Sequence, residues 1–210
     1  MAQFTIYGPT LSTYVRTIRM IFEETDTPYE LESIDIFKGE QNVPDYLAKN
    51  PFGKVPTLAV DGQYLYETNA IAEYLDASLN NSGFTPHDLM TQARMRQIMG
   101  IVASYLYAPA IGTIVIQRMM VPRQGGESDI AAIEAAVPKT QTALKAIADV
   151  ANFSPYLLGT EPTLADFYLM PVMFYLSNTP DWEAAIGSVP QLKSWWEAVR
   201  QRPSFRKVLR

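Results

Sequence analysis

Short runs with a period of two alternate with longer runs of helical period over the first eighty residues. Phe4 and Ile6 share one face of the run Gln3 to Tyr7, and Gly8-Pro9 stops that strand. From Thr13 to Glu24 the apolar side chains Val15, Ile18, Ile21 and Phe22 recur at helical spacing, with Ser12 where an N-cap hydroxyl sits. Tyr29 to Ile36 is rich in β-formers and predicts a second strand. Thr57 to Val60 and Gln63 to Tyr66 flank Asp61-Gly62, a two-residue hairpin signal. Ala70, Ile71, Tyr74 and Leu75 then mark one face of a helix ending near Leu79.

The order β-α-β, a connection, then β-β-α predicts a thioredoxin-like layer with a mixed four-stranded sheet over residues 1–79. Asn80, Asn81, Ser82, Gly83 and Pro86 make residues 80–86 a breaker-rich linker. Beyond it the periodicity is helical: His87 to Met120, Asp129 to Val150, Thr163 to Ser177 and Gln191 to Gln201. The expected architecture is α/β followed by an all-α helical bundle over residues 87–210. Pro138 predicts a kink or a shorter helix.

Composition narrows the chemistry. Seventeen basic against 22 acidic residues give a net charge of −5, which argues against nucleic acid as a partner. Cysteine is absent, so disulfides, thiolate metal sites and an intrinsic thiol nucleophile are excluded. His87 is the sole histidine, so a multi-histidine metal site cannot be built, and no metal is expected. No apolar run reaches membrane-spanning length and MAQFTIYGPT lacks a secretory pattern, so the expectation is a cytoplasmic protein without a membrane partner.

Three blocks, in order, carry a family resemblance: Tyr7-Gly8-Pro9-Thr10-Leu11-Ser12, Asn50-Pro51-Phe52-Gly53-Lys54-Val55-Pro56, and Glu67-Thr68-Asn69-Ala70-Ile71. With Thr163-Leu164-Ala165-Asp166 and the end Trp195-Trp196 to Phe205, the chain resembles the cytosolic glutathione transferases over nearly its whole length, most closely the serine-type phi and theta-like classes and their bacterial relatives. The resemblance implies a homodimeric enzyme whose first domain binds glutathione and whose helical domain supplies most of the pocket for a hydrophobic electrophile. It implies Ser12 as the catalytic residue, donating a hydrogen bond to the glutathione sulfur. It also implies a cis turn at Val55-Pro56, which leaves the Val55 backbone free to pair with the cysteinyl backbone of glutathione as an added strand. Glu67 suits the γ-glutamyl ammonium, and Thr68 with the helix start suits its carboxylate. Gln41 and Asn42 stand where the phi pattern has a basic pair; Gln41 and Lys54 are the candidates for the glycine carboxylate, with Lys38 as a further cation in reach.

A free thiol with a pKa of about 8.5 is only roughly 3% ionised at pH 7, and lowering it by two units takes about 2.7 kcal/mol. A hydrogen bond to a charged group offers roughly 1.5–3 kcal/mol and a helix N-terminus about 0.3–1 kcal/mol more. Tyr7 competes with Ser12, since tyrosine-type transferases use a phenol at the end of this strand, and Thr10, Thr13 and Tyr14 are nearby hydroxyls. Asp166, three residues after Thr163, reads as half of a capping box. Tyr105, Tyr107, Ile111, Ile114 and Met119 offer apolar surface for the second substrate or for the core. Two other function classes remain open: a non-catalytic binding or regulatory relative, and a glutathione-dependent peroxidase or dehalogenase.

Overall fold

β1 (Phe4–Tyr7) is the strand around which the first unit is built: it pairs in parallel with β2 (Glu30–Glu32) on one side and antiparallel with β3 (Thr57–Val60) on the other. β4 (Gln63–Leu65) adds to β3 through the Asp61-Gly62 hairpin, giving the mixed sheet order β2-β1-β3-β4. The computed structural model describes residues 3–187 and 189–209. Phe4, Ile6 and Leu58 are buried with Val15, Ile18 and Phe22 of α1 (Thr13–Glu24) and with Ile71 and Leu75 of α3 (Thr68–Asn80). A short 3-10 turn (Glu40–Asn42) and α2 (Pro44–Leu47) fill the connection before β3.

The predicted strand Tyr29 to Ile36 shrinks to Glu30–Glu32, because β1 offers only the register Thr5↔Glu30, Ile6↔Leu31 and Tyr7↔Glu32 before Gly8 takes over. Tyr29, half-buried, stacks on the core residue Phe22 at 4.8 Å without being in the sheet.

Helices α4 (Leu89–Ile101), α6 (Ile130–Ala148), α7 (Leu164–Leu176), α8 (Trp182–Ile186) and α9 (Gln191–Val199) form the second unit, with a one-turn α5 (Val121–Arg123) between α4 and α6. α4 continues into wider π-type winding over Val102–Leu106 and Ala108–Met120. Ile111 and Ile114 are buried there, whereas Tyr105 is 69% exposed. Arg118 clamps this stretch to the start of α8 through two bonds to the Asp181 carboxylate, at 2.7 and 3.0 Å. Pro138 does not shorten α6, which runs unbroken through it. Among the described residues no single helix is long and apolar enough to cross a membrane.

The units are Met1–Phe84 with Pro203–Arg210, and Thr85–Arg202. The first compact unit thus takes in residues 80–84 and the final helix. α3 runs to Asn80, and the fully buried Asp76 accepts from the Phe84 N–H, so the breaker-rich stretch is tied to the first unit. The last helix α10 (Pro203–Val208), expected in the helical domain, lies on α1: Lys207 pairs with Glu23 at 2.8 Å and the Ser204 hydroxyl bonds the Glu24 carboxylate.

Candidate active site

Antiparallel pairing brings the three sequence blocks to one edge of the sheet. Tyr7, at the end of β1, lies opposite Thr57 at the start of β3, and Leu65, at the end of β4, lies opposite Leu58. The segments that follow β1 and β4 and precede β3 therefore emerge together. They carry Ser12, Glu67 with Thr68, and Val55. Gly8 has a φ of +151°, and a Cβ there would meet Val15 of α1 at 2.5 Å and Val55 at 3.2 Å. Only glycine permits that three-way approach.

Ser12 caps α1: its Oγ accepts from the Val15 N–H at 3.4 Å. The structural and chemical readings of this residue are compatible, since a hydroxyl that accepts keeps its own hydrogen to donate. Arg16, one turn later, donates from Nε to the carbonyl of Thr10 at 3.0 Å. Tyr7 faces elsewhere. Its ring meets Tyr64 edge-on at 6.2 Å, and the Lys49 ammonium lies 5.5 Å over it. Burial, then the Glu32 carboxylate, pushes the phenol above its ordinary pKa.

Val55-Pro56 is a cis peptide. Among the described residues no backbone partner bonds the N–H or C=O of Val55, which leaves both for an extended ligand. The turn before it is locked from outside the block: the carbonyl of Lys54 accepts from Tyr46 Oη at 2.6 Å and from Asn50 Nδ2 at 2.9 Å, while the Lys54 side chain is exposed. Gly53 sits so tightly under the 3-10 turn that a Cβ would lie 2.8 Å from Asn42 Oδ1 and 3.1 Å from the Gln41 carbonyl. Gln41 is thus placed beside the block, with its Oε1 buried and unbonded. Glu67, exposed, holds a φ of +68° at the N-cap of α3, and the N–H groups of the first turn, starting at Thr68, point out of the helix. Among the described residues, no cluster of three or more His, Cys, Asp or Glu side chains is placed to hold a metal.

Family models for the N-terminal and C-terminal domains of glutathione S-transferases match residues 11–78 and 118–210. The chain is 30% identical to glutathione S-transferase F13 of Arabidopsis thaliana across 97% of its own length and 93% of that protein's. The chain belongs to the glutathione S-transferase family. Another family member, glutathione S-transferase 3 of Zea mays, is 29% identical across 100% of this chain and 94% of its own. Among solved structures, glutathione transferase F7 from Populus trichocarpa superposes with a TM-score of 0.83 at 31% identity, covering 98% of this chain and 97% of its own. Maize glutathione S-transferase I, in complex with an atrazine glutathione conjugate, superposes at 0.84 with 27% identity, covering 99% and 96%.

Within this transferase fold, Tyr46 is the residue that sequence reading misses. It is 3% exposed on α2, an element with no periodic signal, and its hydroxyl also meets Thr57 Oγ1 at 3.0 Å. Burial pushes its phenol up, so it stays protonated and donates. Tyr46→Phe leaves Thr57 without this partner and removes one of the two donors on the Lys54 carbonyl. The expected result is a stability loss of about 1–2 kcal/mol by denaturant titration, with a raised KM for glutathione and little change in kcat.

Proposed function

We propose that this transferase joins the glutathione thiolate to hydrophobic electrophilic small molecules, with Ser12 donating a hydrogen bond to the sulfur in the serine-type scheme. The observation that carries this reading is the close approach at Gly8, which sets the capped start of α1 against the cis Val55-Pro56 segment. A peptide pairing with the Val55 backbone lies alongside the α1 N-terminus, where the hydroxyl of Ser12 and the helix dipole both favour an anion. Tyr7 is the weaker candidate because its phenol is pushed up by burial and by the nearby Glu32 carboxylate, a charge that opposes an anion at the same place.

In the same reading Glu67 takes the γ-glutamyl ammonium, and Thr68 with the first N–H groups of α3 takes the α-carboxylate. Gln41 and Lys54 hold the glycine carboxylate, and no metal takes part. The working form is a cytoplasmic homodimer acting in detoxification. A cytosol kept reducing by glutathione supplies the co-substrate.

The deciding experiment is a glutathione titration at several pH values, following thiolate absorbance. Binding with a lowered thiol pKa supports conjugation; binding without ionisation moves the reading to a non-catalytic relative. Gln41→Ala and Lys54→Ala are each expected to weaken glutathione binding several-fold, and unchanged affinity would remove them from the site.

A further inference from the structure

Arg16 is a cation that the fold encloses: it is 7% exposed. Side chains on a helix lean toward its N-terminus, and Arg16 follows, its Nε bonding the Thr10 carbonyl at 3.0 Å. The guanidinium is thereby fastened to the turn that presents Ser12. A charge removed from water is costly to maintain, so this one is held in a defined place rather than solvated at the surface.

The other charged groups around α1 are engaged further along the helix or on its neighbours. Arg19 donates to the Tyr29 hydroxyl, and Glu23 pairs with Lys207 of α10 while Glu24 bonds Ser204. α10 also carries Arg206, and α3 contributes Glu73 and Asp76, whose Oδ1 accepts from Asn80 and from the Phe84 N–H. β1 carries no charge.

We propose that Arg16 is a positioning residue for the thiolate: it fixes the turn carrying Ser12 and lends the positive charge that holds the sulfur ionised. The inference rests on the Ser12 reading given above. Two residues span at most about 7 Å of chain, and with a hydrogen bond of about 3 Å at either end the guanidinium stands within roughly 13 Å of a sulfur bound at Ser12. At an effective dielectric constant near 20, a unit charge at that range changes the thiolate-to-thiol ratio on the order of tenfold.

Arg16→Gln removes the charge. The expected result is a bound glutathione thiol whose pKa rises by about one, from roughly two units below free glutathione, giving about threefold less thiolate at pH 7 and nearly tenfold less at pH 5.5. A more basic thiolate is also more nucleophilic, with a Brønsted slope near 0.4–0.5, so kcat/KM for an activated aryl halide falls about three- to fourfold at pH 5.5, changes little at pH 7 and exceeds wild type about threefold on the alkaline plateau. Arg16→Lys restores the rate at pH 5.5. A purely structural role moves stability and leaves the pH profile in place, so a folded Arg16→Gln enzyme whose bound thiol titrates as in wild type overturns the proposal. Ser12→Ala supplies a reading that needs no Arg16 variant to fold: its bound thiol should still titrate about one pH unit below free glutathione, and a return to the free value also overturns the proposal. Wild-type protein that binds no glutathione overturns the parent reading, and this inference with it.

Discussion

Replacing Ser12 with alanine is expected to raise the pKa of enzyme-bound glutathione by about one to two, the equivalent of a hydrogen bond to a charged sulfur of roughly 1.5–3 kcal/mol. At pH 7 the thiolate fraction then falls by roughly tenfold, directly visible in thiolate absorbance. The loss in kcat/KM has two parts. Ionisation alone accounts for only a few-fold, because the more basic thiolate attacks faster once formed. Any larger loss reports misplacement of the sulfur, which the hydroxyl also orients. The two parts separate with pH: the ionisation part disappears at alkaline pH, whereas the orientation part persists. The cap lost with the hydroxyl costs about 1 kcal/mol of stability, so the variant should remain folded. Unchanged thiolate absorbance in Ser12→Ala would transfer the role to Tyr7 or to the hydroxyls of Thr10, Thr13 or Tyr14.

Asp166→Ala has the opposite signature, a collapse in stability. The carboxylate is fully buried and accepts from the Thr163 N–H at 2.8 Å, Thr163 Oγ1 at 3.0 Å, the Leu157 N–H at 3.0 Å and Trp195 Nε1 at 2.8 Å. One side chain therefore closes the capping box of α7, fixes the segment before it and anchors the indole of α9. Burial pushes its carboxyl above the ordinary range, while these four bonds favour the charged form. Alanine leaves four interior donors unsatisfied, and at the low end of about 1–3 kcal/mol each the total is about 4 kcal/mol. At roughly 2–4 °C per kcal/mol for a chain of this size, Tm drops by about 10 °C. Thermal unfolding followed by tryptophan fluorescence checks it; an unchanged Tm would remove Asp166 from the framework.

The elements that the sequence makes legible are those whose boundaries are chemical. Gly8-Pro9 ends β1, Ser12 starts α1 and Asp61-Gly62 closes the β3–β4 hairpin, each by a local backbone preference. What escapes is set by partners. β2 is as short as β1 allows, so its length is written in a different part of the chain. Pro138 forfeits one bond within α6, yet Pro138 and Glu134, whose carbonyl loses its donor, are both exposed, and water can replace that bond. The π-type winding of Val102–Met120 is hidden because apolar spacing there does not discriminate a turn of 3.6 from a wider one. The site divides in the same way. Ser12, Val55, Glu67 and Thr68 stand in contiguous blocks, whereas Tyr46 and Arg16 act through bonds to distant or preceding carbonyls that no spacing announces.

α10 lies on α1 although about 180 residues separate the bonded pair Ser204 and Glu24. On a ribosome, where domains generally fold as units in order of synthesis, the whole of Thr85–Arg202 is made before the helix that completes the first unit. Phe205, Val208 and Leu209, all buried, arrive after that stretch to join the surface around α1. Nascent chains stalled before residue 203 should thus display an unfinished face on α1, a natural landing place for chaperones, and maturation of the first unit would be timed by translation rather than by its own folding speed.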